Sequence, residues 1–174
     1  MGSESPPREP PEKLDVVHDP DFGEMQLVRQ WFHAQDPGDS HWTRLSLIYW
    51  EGALSGVPFQ IYVDEVGAFP APPREARDLM VRLAASADKI ALDVAAELID
   101  TARDWAAGVD LSVPTVQSLA RGLRLDVIHT YEDWAPTLYF EETEPDMDRT
   151  IFAGHVVEVR FAADGVLQSA GIAG

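Results

Sequence analysis

Three of the five histidines are the side chains of this chain best suited to acid–base or metal chemistry. His155 follows Gly154 at the start of a predicted strand, and His18 lies three residues before Asp21. With His129, these groups could form a general base or a metal site, because imidazole titrates near neutral pH and binds metals. The spacing typical of metal-binding histidine pairs is absent, so we expect His155 to be a structural residue that hydrogen-bonds at the end of its strand.

Carboxylates recur along one face of a helix predicted over residues 88–107. Their separations of four, three and four residues place them in a single row: Asp93, Glu97, Asp100 and Asp104. Like charges at such spacings cost about a few tenths of a kcal/mol each. A helix that keeps them can present them to a cationic partner, and the alternative interpretation is an ordinary solvated face.

A second acidic cluster occupies residues 141–148, with the sequence EETEPDMD. Carboxylates this dense suit a hard cation such as Ca²⁺, but the spacing differs from that of an EF-hand loop and no glycine lies at its centre. We expect a solvated loop here. If it is functional, contact of Glu141, Glu142 and Glu144 with a partner is favoured over metal binding.

Aromatic residues crowd the first third of the chain. Trp31, Phe32 and Trp42 flank the polar segment 34–41. Tryptophan and tyrosine often anchor protein interfaces, so we take Trp42 as a candidate contact residue. The alternative is that these side chains belong to the core and to the faces of a sheet.

Sequence signatures of nucleophilic and phosphate-binding enzymes are absent. No G-x-S-x-G elbow or glycine-rich phosphate loop occurs, and the chain has no cysteine, which excludes disulfides, thiolate metal sites and a cysteine nucleophile. We therefore expect no cofactor and no bound metal, and we favour binding over catalysis.

The charge balance is the strongest functional indication in the sequence. Thirty Asp and Glu residues face thirteen Lys and Arg residues, which gives a formal charge of −17 over 174 residues. Such a surface repels nucleic acid and anionic membranes and attracts basic partners. The polar start lacks a secretory signal, and no apolar run is long enough to cross a membrane, so we expect a cytoplasmic protein.

The pattern of apolar residues predicts an α+β domain. Residues 1–13 are polar and proline-rich and are expected to form a disordered arm, followed by a single domain over 14–174. Strands are predicted over 22–28, 44–50, 59–63, 123–129, 137–141, 155–161 and 166–172. Helices are predicted after Pro73, over 88–107 and over 113–122. This order favours an antiparallel sheet of six or seven strands with two or three helices packed on one side.

Short motifs at the two ends of the chain resemble an uncharacterised bacterial domain family. Members begin with a His-Pro-x-Phe-Gly element and end with Phe-x-Gly-His, an Asp-Gly hairpin and Ala-x-x-Gly. The matching segments here are 18–23 (HDPDFG), 152–155 (FAGH), 164–165 (DG), 170–174 (AGIAG) and the helical pair Asp104-Trp105. Asp19 is an insertion relative to that pattern. The resemblance spans 17–174 and implies no catalytic residues, although some such domains are similar to immunity proteins of toxin systems.

These observations predict a small acidic cytoplasmic protein that masks a basic protein partner, with immunity-like neutralisation of a toxin as the concrete hypothesis. Contact is expected at the helical row and at the acidic loop. One alternative is a hydrolase or metal-dependent enzyme that uses His155 or His18 with Asp21. Another is a scaffold or assembly subunit whose charge serves only to keep it dissolved.

Overall fold

The computed structural model describes residues 7–35, 42–108, 111–143 and 150–173. Across these ranges the chain forms eight strands and three helices. Their order is β1 (Glu12–Asp19), β2 (Gly23–Ala34), β3 (Thr43–Leu54), β4 (Val57–Val63), α1 (Arg74–Ala85), α2 (Ala87–Gly108), α3 (Val116–Gly122), β5 (Leu123–Thr130), β6 (Thr137–Glu142), β7 (Val156–Phe161) and β8 (Leu167–Ala173).

All eight strands belong to one sheet, in which they follow their sequence order from β1 to β8. Every neighbouring pair is antiparallel except β4 and β5, which are parallel. Parallel neighbours need a long crossover connection, and residues 64–122 supply it with all three helices. The helices therefore pack on one side of the sheet, which confirms the predicted α+β architecture.

The sheet has one strand more than the six or seven expected, because β1 was not recognised. β1 lies at the edge of the sheet, and its sequence, EKLDVVHD, is mostly exposed. Because few of its side chains are buried, it lacks a clear alternation of apolar and polar residues. β1 begins at Glu12, two residues before the predicted start of the domain. Earlier in the expected arm, Glu9 forms an ion pair with Arg44 of β3 at 2.6 Å.

The core lies between the helices and one face of the sheet. The apolar row of α2 is buried at Val94, Leu98 and Ala102. Because successive strand residues point to opposite faces, alternate residues of every inner strand reach this core, for example Trp50 in β3 and Ile61 in β4. The expected Asp164-Gly165 turn joins β7 to β8, and Gly165 has the positive φ of +87° that glycine adopts without strain.

Candidate binding surface on the free face of the sheet

The histidines proposed for catalysis lie on separate parts of the sheet. His18 is in β1 and His129 in β5, while His155 immediately precedes β7. Asp21 forms an ion pair with Arg77 of α1. Within the described ranges, no three His, Asp or Glu side chains lie close enough together to hold a metal ion. The three histidines therefore do not combine into one metal site within the described residues.

His155 is packed into the fold at the end of α2. Its ring meets the Trp105 ring edge-on, with centroids 5.7 Å apart, and Trp105 also contacts Phe152 at 5.8 Å. The backbone N–H of His155 donates to the carbonyl of Phe152 at 2.8 Å. These contacts join the Trp of α2 to the Phe-x-Gly-His segment, so two parts of the resemblance serve packing.

Glu141 and Glu142, which were expected in a solvated loop, instead form the end of β6, and their surroundings differ. Glu141 is exposed in β6 opposite Arg124. Glu142 is half-buried, and its two carboxylate oxygens accept the backbone N–H groups of Ile151 and Phe152 at 2.9 and 2.8 Å. Glu142 thus holds a loop of its own chain, and Glu144 lies outside the described residues.

The acidic row of α2 is exposed along its whole length. Lys89 binds Asp93 at 2.6 Å, and Arg103 binds Asp100 at 3.2 Å. Within the described chain, Glu97 and Asp104 have no ion pair. Two of the four carboxylates in the row are therefore neutralised by cations of the same helix.

The face of the sheet opposite the helices, here called the free face, carries no described helix. All four tyrosines of the chain and one histidine meet there to form what we call the tyrosine cluster: Tyr49, Tyr62, Tyr131, Tyr139 and His129. Adjacent ring centroids within it are separated by 4.6 to 5.4 Å. The Tyr62 and Tyr131 rings are stacked, at 5.1 Å and with an interplanar angle of 22°.

Strand register assembles this cluster. Tyr49 of β3 lies directly opposite Tyr62 of β4. The parallel pairing of β4 with β5 places His129 opposite Gln60, so His129 shares the face of Tyr62 and their rings touch at 5.0 Å. Tyr139 of β6 lies on the same face, where its hydroxyl donates to Glu158 of β7 at 3.0 Å.

Burial disfavours the charged forms of Tyr62, Tyr139 and His129. It raises the pKa of Tyr62 well above its ordinary value, and burial together with the Glu158 hydrogen bond raises the pKa of Tyr139 to about 12. Burial also lowers the pKa of His129 to about 4, although the charges of Asp126 and Glu158 act in the opposite direction. At neutral pH the centre of the free face is therefore a neutral aromatic platform.

Exposed apolar side chains extend this platform along β2 and β3. Leu47 lies opposite Gln30 and Leu45 opposite Phe32, in register with the face that carries Tyr49. Leu45 is 41% exposed, Leu47 is 44% exposed and Tyr131 is 55% exposed. An apolar surface of this kind on a polar protein is typical of an interaction site.

Carboxylates border the platform where β4 and β5 end. A cavity of about 410 Å³ opens there beside Tyr62 and Tyr131, and its lining includes Asp64, Glu132 and Asp133. We call this cavity the tyrosine cleft. It combines aromatic rings with negative charge, which is the combination that attracts cationic groups.

Trp42 is half-buried at the far end of the β2–β3 hairpin. It lines a cavity of about 730 Å³ together with Trp31 and with Glu9 from the start of the chain. Arg44 lies over the Trp31 ring at 3.7 Å from its centroid. The two oxygens of Glu9 accept from the Arg44 guanidinium at 2.8 and 2.6 Å.

No family model, curated protein or solved structure matches this chain at a significant level. Among the described helices, none is both long and apolar enough to cross a membrane.

Proposed function

We propose that this protein is an acidic cytoplasmic binding protein that masks a basic protein partner through the free face of its sheet. One observation carries the proposal. The free face presents the tyrosine cluster and the exposed Leu45 and Leu47, has no described helix over it, and is bordered by carboxylates.

The chemistry of this surface suits protein recognition. Tyrosine supplies a large contact area at a low cost in conformational entropy. Exposed leucines add apolar area that gains free energy when a partner removes it from water. The acidic border and the net charge of −17 favour a basic partner and accelerate its diffusional encounter.

The free face is favoured over the acidic row of α2 as the principal contact. The two surfaces lie on opposite layers of the molecule, because α2 packs against the other side of the sheet. A partner of ordinary size covers one of them. The α2 row has half of its carboxylates paired with cations of the same helix, whereas the free face adds apolar anchors to its charge.

Immunity-like neutralisation of a toxin remains the concrete form of this proposal. A nuclease, for example, binds phosphates in a basic cleft. Carboxylates at the border of the free face, with Glu141 further along β6, would take the places of those phosphates and block the cleft. The support for this form is the charge and the apolar surface together.

Panning a phage-displayed library of random peptides on the immobilised protein tests the proposal. Enriched peptides should combine Arg or Lys with apolar residues, because the basic residues can contact the acidic border of the free face and the apolar residues its leucines and tyrosines. Their affinity, measured by fluorescence anisotropy, should fall in the double variant Leu45→Ser/Leu47→Ser.

The matched control is Val81→Ser/Leu92→Ser on the helical layer, where the native side chains are 45% and 43% exposed. This variant should bind the enriched peptides as the native protein does. Enrichment without basic residues, or an equal loss of affinity in both double variants, would overturn the proposal.

A further inference from the structure

We infer that the tyrosine cleft receives an arginine side chain of the basic partner, an inference that rests on the proposed function and assigns it a chemical determinant. The cleft brings together three requirements of guanidinium recognition. These are an accessible aromatic face, carboxylates within reach and space for a long side chain.

The aromatic face is provided by Tyr131, which is 55% exposed and is supported from behind by stacking on Tyr62. A planar guanidinium stacks on such a ring and is attracted by its quadrupole. Tyr62 is half-buried and is held by contacts with Tyr49 and His129. The exposed ring is therefore positioned before a partner arrives, which lowers the entropic cost of binding.

The carboxylates of the cleft are available to a ligand. Within the described chain, Asp64, Glu132 and Asp133 have no ion pair, and the one polar contact among them is that of Asp133 Oδ1, which accepts the N–H of Ala135 at 3.1 Å. Arg160 lies near enough to interact electrostatically with Tyr131, but Glu158 binds its guanidinium. Among the described residues, these three carboxylates around one cavity thus have no cationic partner.

The same molecule contains an occupied site of this design. The guanidinium carbon of Arg44 lies over the Trp31 ring at 3.7 Å from its centroid, and both oxygens of Glu9 accept hydrogen bonds from that guanidinium. Among the described residues, the tyrosine cleft has the ring and the carboxylates but no arginine. Lysine is disfavoured as the occupant, since its ammonium is a strongly hydrated point charge without a planar face to stack.

A short peptide is the direct probe. Acetyl-Leu-Arg-Leu-amide would be titrated into the full chain to millimolar concentration and followed by NMR chemical shifts. The citrulline peptide, which keeps the planar shape without the charge, and the lysine peptide serve as comparisons. The arginine peptide should shift the signals of Tyr62, Tyr131 and Glu132, and the other two should do so more weakly.

Two variants locate the effect. Tyr131→Leu keeps an apolar side chain but removes the ring, and should weaken binding of the arginine peptide by about 3- to 30-fold. Glu132→Gln/Asp133→Asn should weaken it by a similar factor, while retaining the Asp133 acceptor as an amide oxygen. The matched control, Glu97→Gln/Asp104→Asn, removes the same charge from α2 and should leave binding unchanged.

The outcomes separate this inference from the proposed function. Equal shifts with arginine and citrulline peptides, or full affinity in Tyr131→Leu, would overturn the arginine assignment. If Leu45→Ser/Leu47→Ser still abolished binding of the panned peptides, the free face would stand as the contact surface. No shift with the arginine peptide, together with panning that enriches no basic sequence, would overturn both.

Discussion

Asp19 shows how a charged residue in a motif-like segment can serve the fold. Its Oδ1 accepts the backbone N–H groups of Asp21 and Phe22 at 2.9 and 3.1 Å. Arg77 of α1 donates to its two oxygens at 3.1 and 3.2 Å. Burial alone would raise the pKa of Asp19, but these backbone donors and the guanidinium outweigh it and hold that pKa below its ordinary value. The 18–23 segment thus ties the β1–β2 turn to the first helix.

Replacement of Asp19 tests this role. Asp19→Asn keeps an oxygen for the turn but leaves the largely buried Arg77 with the exposed Asp21 as its remaining ion-pair partner. We expect the free energy of unfolding to fall by about 1–3 kcal/mol in urea denaturation. Asp78→Asn is the control, because the Arg74–Asp78 pair is exposed at 3.9 Å, and it should change stability little. Equal effects in the two variants would contradict the account.

His129 makes stability depend on pH. Its pKa is about 4 in the folded chain and about 6.5 when unfolded, so between these values the unfolded chain binds the proton and the folded chain does not. The free energy of unfolding should therefore decrease as the pH falls from about 6.5 to about 4.

The variant His129→Phe keeps a ring in the tyrosine cluster and removes the titration. Denaturation curves collected across this pH range give the free energy of unfolding at each pH. In the variant this free energy should depend less steeply on pH than in the native chain. A slope unchanged by His129→Phe would show that other groups control the acid sensitivity.

At the scale of the elements, side chains of β2 and β4 restrict the size of the residue that β3 can carry at position 52. Gly52 lies where an added Cβ would be 2.5 Å from Met25 Sδ and 3.1 Å from Phe59 Cε1. Gly52→Ala should lower the free energy of unfolding by about 1–3 kcal/mol through overpacking. Gly171→Ala in β8 is the control, since its Cβ would meet nothing within 4 Å. Thermal denaturation would compare the stability of the two variants. A Gly52→Ala protein as stable as the native chain would contradict the close packing around Gly52.

The loop between β6 and β7 depends on Glu142. Glu142→Gln replaces one acceptor oxygen by an N–H donor that faces a backbone N–H. We expect the free energy of unfolding, measured by chemical denaturation, to fall by about 1–2 kcal/mol. Glu141→Gln, on the exposed neighbour, should leave stability unchanged. A Glu142→Gln protein of native stability with weakened peptide binding would instead support the contact role first predicted for Glu142.

The identity of most elements could be predicted from sequence, but their order in the sheet could not. Alternation of apolar and polar residues predicted β4 and β7, and the helical spacing of Val94, Leu98 and Ala102 predicted α2. The parallel pairing of β4 with β5 depends on a crossover through three helices, which no local pattern reports. The tyrosine cluster was missed for the same reason, because Tyr62 of β4 meets His129 of β5 only through that pairing.

At the scale of the whole molecule, the proposed function gives the net charge and the apolar free face separate roles in binding. The net charge of −17 should speed association with a basic partner, while the apolar free face should determine how long the complex lasts. The affinity for panned basic peptides should fall as NaCl is raised from about 0.05 to 0.5 M, chiefly through a slower association rate, since salt screens exposed charges. Stopped-flow binding measures this, and an association rate that is flat across the range would contradict electrostatic steering.

Hydrogen–deuterium exchange of the full chain, with and without the tightest basic peptide from panning, tests most directly whether the free face is the binding surface. We expect slower exchange in residues 43–64 and 127–139, which form the platform and the tyrosine cleft, and unchanged exchange in α2. Slower exchange confined to residues 87–108 would show that the acidic row of the helix is the contact and would contradict the account.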